Sequence, residues 1–219
     1  MLYVVATPIG NLGDISARAL EVLGSVDAVL CEDTRRTSMM LNHFNIKRPL
    51  ISFHSYTTDK KQEALLREMD SGKNYALVSD AGTPGISDPG GILVSEAIAH
   101  GITVVPIPGA AAFLTALMAS GLPLHRFWYY GFLPAKKGRE TLYKDFASKT
   151  EETIVCYESP HRLLATLGAW TKHMPDRRIV VARELTKMHE EFFRGTVAEA
   201  YANFSARTKI LGEFVLILS

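Results

Sequence analysis

Residues 75–101 read YALVSDAGTPGISDPGGILVSEAIAHG, and the fold is decided there. Tyr75 to Val78 is a short, wholly apolar run, the signature of a strand buried on both faces. From Asp80 to Gly91, twelve residues hold four glycines and two prolines. A connection that long and stiff inside a compact domain usually serves a function. Ile92 to His100 then reads as a helix, stopped by Gly101. The unit is strand, loop, helix. In open α/β sheets, ligands sit beyond the carboxyl ends of the strands, where this loop lies.

The same unit recurs on both sides. Upstream, Leu2 to Ala6 is a strand. Ile15 to Leu23 is a helix with Asp14 as its N-cap and Gly24 past its end. Ala28 to Cys31 and Leu50 to Phe53 are strands, and Thr34 to Phe44 is helical. Asp59 to Ser71 is a helix in which Asp59 and Gln62 have capping-box spacing, Leu65, Leu66 and Met69 share a face, and Gly72 is the stop. Downstream, Ile102 to Val105 is a strand and Ala110 to Ser120 a small-residue helix ending at Gly121. These alternations predict an α/β domain with a mostly parallel five-stranded sheet and helices on both faces.

The second half has a different texture. Phe127–Phe132, Thr153–Tyr157, Ile179–Ala182, Glu191–Arg194 and Phe214–Leu218 read as strands. Ser159 is placed as an N-cap with Pro160 at the first helical position, ahead of a face made by Leu163, Leu164, Leu167 and Trp170. Thr196 and Glu199 form a capping box for a helix to Phe204. This predicts a second α/β domain, a mixed sheet with two or three helices. Gly and Pro between Ser120 and Leu124 mark the boundary, giving domains 1–121 and 122–219.

Bulk properties narrow the classes. The chain has 219 residues, 47% hydrophobic and 21% charged, as in an ordinary globular protein. No apolar stretch approaches the roughly 18 residues of a membrane span. The first residues lack a basic leader and enter a strand at once, so a cytoplasmic protein is expected. Cys31 and Cys156 lie in apolar runs and read as buried free thiols. No Cys/His cluster has metal-ligand spacing, so no metal is expected. A net charge of +1 does not announce a nucleic-acid binder. The clearest basic patch is Lys136, Lys137, Arg139 and Lys144.

Six loops after strands carry the candidate chemistry. Thr7-Pro8-Ile9-Gly10-Asn11-Leu12-Gly13-Asp14 is not GxGxxG, so the dinucleotide fingerprint fails; it is a turn or a ligand loop. Glu32, Asp33, Arg35 and Arg36 follow the second strand and suit either a capped helix start or a substrate cleft. Asp80 can accept hydrogen bonds from ribose hydroxyls or an ammonium group. Pro106 to Ala112 leaves room for a flat ring or for close helix packing. Tyr157 to Arg162 and Ala182 to Glu191 place charges directly after apolar strands.

Together these motifs are specific. ATPIGNLGDI, CEDTRRT, VSDAGTPGISDPG, PIPGAAA, GFLPAKKGR, YESPHR, ARELTKMHEE and GEFVLIL, in that order from Leu2 to Leu218, resemble the ribosomal-RNA small-subunit methyltransferase I family of the tetrapyrrole-methylase superfamily. The resemblance implies transfer of a methyl group from S-adenosylmethionine to the 2'-hydroxyl of a cytidine in the decoding region of 16S rRNA, with the 30S subunit as the setting and a homodimer as the working form. It implies a cofactor folded in a cleft between the two domains. On that reading Pro8 and Gly10 border the cofactor, Asp80 and Thr83 contact its methionine and ribose parts, and Ala111 and Ala112 approach the adenosine. Leu133, Glu158 and Leu185 close the site from the second domain. One departure stands out: the family often carries His-Glu-His-Asn after the third strand, and here the segment is Phe53-His-Ser-Tyr-Thr-Thr58.

Methyl transfer from a sulfonium needs an in-line nucleophile and exclusion of water. A ribose hydroxyl needs a base or a nearby cation. Lys187, Glu184, Asp33 and Arg35 are the candidates. Lys136, Lys137 and Arg139 are expected to hold phosphates, with Arg36 beside Arg35 on the other side. Two rivals remain: a tetrapyrrole carbon methylase on the same fold, and a non-catalytic RNA-binding ribosome-assembly protein.

Overall fold

The structure is a computed structural model describing residues 1–54, 56–88 and 90–219. The chain divides into two compact units, Met1–Ala111 and Ala112–Ser219.

The first unit has strands β1 (Leu2–Val5), β2 (Ala28–Cys31), β3 (Leu50–Ser52), β4 (Tyr75–Val78) and β5 (Val104–Ile107). They pair in the order β3-β2-β4-β1-β5, every ladder parallel. β2 and β4 are buried at every position, as their unbroken apolar runs require. Their side chains alternate between two cores. Leu30, Tyr75 and Leu77 join Leu65, Leu66, Met69 and Leu93 on one face. Val29, Cys31, Ala76 and Val78 join Ala19, Leu23 and Leu41 on the other. Helices α3 (Asp59–Asp70) and α4 (Gly90–Ala99) therefore cover one face, α1 (Ala17–Ser25) and α2 (Thr34–His43) the other.

Local chemistry corrects several expected ends. Ser16, not Asp14, caps α1, accepting from the Ala19 amide at 3.1 Å. Asp14 instead closes a short 3-10 turn capped by Asn11, and Gly24 lies inside the helix. The Asp59/Gln62 box does not form. Thr58 is the N-cap, without a side-chain bond, so Asp59 is already the first helical residue. Gly72 does stop α3, at φ 102°. β5 sits two residues later than expected.

The second unit has β6 (Phe127–Phe132), β7 (Thr153–Glu158), β8 (Arg178–Arg183), β9 (Glu191–Thr196) and β10 (Phe214–Leu218), ordered β6-β7-β10-β8-β9. Only the β6–β7 ladder is parallel, so the sheet is mixed. Helix α5 (Ala112–Met118), read from the sequence as the last of the first domain, packs against β7 and β10. Gly121 to Pro123 marks the exit from that helix rather than the division between units. Helices α6 (Arg139–Ser148), α7 (Leu163–His173) and α8 (Val197–Ser205) complete the unit. Their apolar faces meet one core around Tyr143, Phe146, Leu163, Leu167, Trp170 and Phe204.

No local signal marks the start of helix α6, because its N-cap is Gly138 and no side chain caps it. Ser159 does not cap α7. It closes a turn, accepting from the Arg162 and Leu163 amides, and the helix starts afterwards. Thr166, not Leu164, completes the buried face of α7. The Thr196/Glu199 box forms as read. Both cysteines are free and buried.

Candidate functional site

In the first unit, the loops leaving β1, β4 and β5 are bonded into one assembly. Thr7, almost wholly buried, exchanges backbone hydrogen bonds with Gly82, amide to carbonyl at 2.9 Å and back at 3.0 Å. Its hydroxyl donates to the Ser79 carbonyl at 3.0 Å. Thr83 Oγ1 donates to the Ala110 carbonyl at 3.0 Å, tying in the loop after β5. Gly82 needs its φ of 87°, a region L side chains avoid. Gly109 is glycine for space: a Cβ there would lie 2.9 Å from the Ala6 Cβ. Asp88 Oδ1 accepts from the Gly85 and Gly90 amides, each at 2.7 Å, which folds the long loop onto itself. Pro8 is buried in this assembly and Gly10 is exposed at its surface.

Asp80 stands at the end of β4 with its side chain about one quarter exposed. Oδ1 accepts from the Asp33 amide at 3.1 Å, and Arg36 Nη1 lies 3.6 Å from Oδ2. Arg36, expected on phosphate, thus neighbours the carboxylate expected on cofactor. Asp33 and Arg35 serve each other. Asp33 caps α2 through the Arg35 amide and receives Arg35 Nε and Nη2 at 3.1 and 2.8 Å. The hydrogen bonds from Arg35 hold the Asp33 carboxyl down at about 2. Glu32 is displaced upward by burial and then by the charges of Asp80 and Asp88. Of the departure at 53–58, Ser55 lies outside the described residues.

In the second unit, Glu158 is fully buried at the end of β7. Oε1 accepts from the Ser159 amide and Arg162 Nη2, both at 2.8 Å. Oε2 accepts from Thr166 Oγ1 at 2.6 Å, with Arg139 Nη2 at 3.6 Å. Two guanidiniums and two hydrogen bonds compensate this buried charge. Arg139 also donates from Nε to the Tyr143 hydroxyl at 2.6 Å and from Nη2 to Thr166 Oγ1. Its guanidinium, expected on phosphate, is engaged by these interior partners and its side chain is 17% exposed. Lys136 and Lys137 stay exposed. Arg162 Nη1 donates to the Leu133 carbonyl at 2.9 Å, so the loops after β6 and β7 are joined, with Leu133 buried beneath.

The turn after β8 gathers Glu184, Leu185, Thr186 and Lys187. Glu184 and Thr186 have φ of 50° and 65°, left-handed values that non-glycine residues hold only when the surroundings impose them. Lys187 Nζ donates to Glu184 Oε1 and Glu213 Oε2, both at 2.9 Å. Glu184 Oε1 also accepts from the Glu213 amide at 3.0 Å. Burial works against charge on both partners, yet the hydrogen bonds prevail: Lys187 is held above the ordinary lysine value and Glu184 below that of glutamate. Leu185 is buried, and Thr186 Oγ1 is buried with no hydrogen-bond partner among the described residues. Gly212, at φ 104°, is required because a Cβ would strike Glu184 Cγ at 2.6 Å. Sequence reasoning missed Glu213 and Gly212 as supports of Lys187. Their signal was the glycine directly before the acid in GEFVLIL.

Residues 1–201 match the family described as Tetrapyrrole (Corrin/Porphyrin) Methylases. A Synechocystis protein named ribosomal RNA small subunit methyltransferase I is 49% identical over 221 residues, covering 100% of this chain and 78% of its own. The Thermotoga maritima protein of that name is 47% identical, covering 100% of this chain and 97% of its own. Among solved structures, a diphthine synthase superposes with a TM-score of 0.76 at 16% identity, over 100% of this chain and 89% of that one. The uroporphyrin-III C-methyltransferase of Thermus thermophilus, complexed with S-adenyl homocysteine, gives 0.66 at 18% identity, over 98% and 96%. At such identities the two structures show the fold alone. Identity along the whole chain shows more: the protein belongs to the tetrapyrrole methylase family, within its ribosomal RNA small subunit methyltransferase I group.

Proposed function

We propose that the chain transfers the methyl group of S-adenosylmethionine to the 2'-hydroxyl of a cytidine in the decoding region of 16S rRNA, acting on the 30S subunit in the cytoplasm as a homodimer. The observation that carries this reading is the 49% identity, over the full chain, to a protein named for small-subunit rRNA methylation. No helix among the described residues is long and apolar enough to cross a membrane.

The residues present fit the cofactor. The loops after β1, β4 and β5 bring backbone close together, and Gly109 leaves no room for a side chain. Asp80 keeps lone pairs beyond those used by Asp33 and Arg36, and Thr83 keeps acceptor capacity. The orphaned Thr186 hydroxyl beside Leu185 is a polar atom in want of a partner. On this reading Pro8, Gly10, Asp80, Thr83, Ala111, Ala112 and Leu185 hold the cofactor, while Glu158 acts at one remove by fixing Leu133 through Arg162. S-adenosylmethionine, when bound, supplies a methyl carbon already activated on a sulfonium.

The protein's part is to position the hydroxyl and lower the cost of its lost proton. Lys187 is suited to the second task as a cation, since two carboxylates keep it protonated at neutral pH. Asp33, held near 2 and already hydrogen-bonded to Arg35, is a weak proton acceptor. Arg35 is spent on the same pair.

The test offers purified protein and labelled S-adenosylmethionine to 30S subunits lacking this methylation, with methylated subunits as control. Label should enter only the unmethylated 16S rRNA, as 2'-O-methylcytidine. Cofactor binding without transfer to either substrate would sink the rRNA assignment.

A further inference from the structure

The edge strand β6 reads Phe-Trp-Tyr-Tyr-Gly-Phe from Phe127 to Phe132. Strict alternation would put Phe127 and Tyr129 on one face and Phe132 on the other. A bulge prevents that. Tyr129 pairs with Val155, Gly131 with Cys156 and Phe132 with Tyr157, so Tyr130 is the extra residue. Gly131 makes the bulge possible at φ 79°. Val155 and Tyr157 share a face, and Phe132 therefore returns to the face of Tyr129.

On that face the rings support one another. Phe132 meets the edge of Tyr157 with centroids 5.2 Å apart, Tyr157 meets Tyr129 at 5.6 Å, and Tyr129 meets Phe113 at 4.4 Å. The Tyr157 hydroxyl accepts from the Phe113 amide at 3.2 Å, which anchors the row. Phe132, at its end, is 56% exposed. The bulge thus spends backbone irregularity on holding a large ring out in water, which the core does not require.

Two lysines follow that ring in the chain. Lys136 and Lys137 are exposed in the loop that follows, and neither has an ion-pair partner among the described residues. His161 is exposed in the turn joined to this loop through Arg162 and the Leu133 carbonyl. The nearby acid Glu158 is fully buried between two arginines, whereas Glu140, on α6, is exposed, its Oε1 lying 2.8 Å from His173 Nε2.

An exposed ring on a rigid support, with two unpaired lysines in the loop that follows it, suits a strand of unpaired nucleotides, whose bases stack and whose phosphates need neutralising. We propose that Phe132 is a stacking platform for an unpaired base of the RNA substrate, with Lys136 and Lys137 on the adjoining phosphates. This rests on the RNA-methyltransferase reading above and adds what that reading lacks: the substrate is gripped where it is single-stranded, and Phe132 is a specificity residue for that state.

The experiment measures binding of a short single-stranded oligocytidylate and of an RNA duplex to the full chain, across a salt series, with cofactor affinity by calorimetry. Phe132→Ala should weaken single-strand binding about tenfold. Its salt slope, duplex affinity and cofactor affinity should not change. Phe132→Tyr should restore the affinity. Lys136→Ala with Lys137→Ala should lower the slope of log K against log salt by about 1.4, at ~0.7 per phosphate for single strands. Single-strand binding by Phe132→Ala equal to wild type overturns the platform. So does an equal loss of duplex or cofactor binding, which marks a structural role, or a shift of dimer to monomer, which marks a contact with a second copy. Methyl transfer by wild type alongside any of these leaves the enzymatic reading standing while the platform falls. No transfer and no RNA binding by wild type removes both.

Discussion

Glu158 shows how a charged residue can matter without touching a ligand. Its side chain has no solvent exposure, and Arg139, Arg162, Thr166 and the Ser159 amide surround it. Removing one partner of a buried pair leaves the other charge uncompensated, at about 3–5 kcal/mol. Glu158→Ala should therefore destabilise the second unit by that order in a urea titration. A change within about 0.5 kcal/mol, as surface substitutions give, would contradict the arrangement. Lys187 is the contrasting case. Its two carboxylate partners are groups that stabilise positive charge, so its value to a reacting hydroxyl lies in that charge.

Helix starts separate sequence signal from structural fact. Thr196 and Glu199 make both bonds of a capping box, the hydroxyl accepting at 3.2 Å and the Glu199 carboxylate at 2.8 Å. Thr58 occupies the same position on α3 and makes no such bond. Thr196→Ala should cost about 1 kcal/mol and Thr58→Ala close to nothing. Equal losses in thermal unfolding would show that the side-chain bond is not what distinguishes the two caps. The bulge in β6 is a feature of the same scale: one extra residue, possible because Gly131 accepts a positive φ, decides which face carries Phe132.

Across the molecule, the carboxyls pulled below their ordinary values lie in both units. Asp33 and Glu68 are in the first, held by Arg35 and by Lys73 with Tyr75. Glu191, held by Arg207, and Glu184 are in the second. A lowered folded-state value stabilises above the ordinary value and stops doing so as pH falls through the folded one. The urea midpoint should thus hold from neutral pH down to the ordinary glutamate value of 4.5 and decline below it, with Asp33 contributing down to about 2. Glu32 acts in the opposite sense, because its raised value favours the protonated form in the fold. A midpoint unchanged down to about 2 would refute the paired state of these carboxylates.

The chain by itself determined the class and most of the elements, though not helix α6. Short unbroken apolar runs, alternating with glycine-stopped helices, allow few arrangements other than a parallel sheet covered on both faces, with ligand loops after the strands. These are local signals, carried by residues within a turn or a strand of one another. Tertiary structure decided what those loops do with their side chains. Arg139 turned inward because the buried Glu158, nineteen positions along the chain, needed a second cation. Arg162, just past the turn closed by the Ser159 carbonyl, reached back to the Leu133 carbonyl. Glu213 became a partner of Lys187 because β10 runs antiparallel beside β8 and brings the two loops together. Helix α5 joined the second unit because its apolar side found β7 and β10. In each case a buried charge or an apolar face was satisfied by a residue distant in sequence, and no local pattern records that pairing.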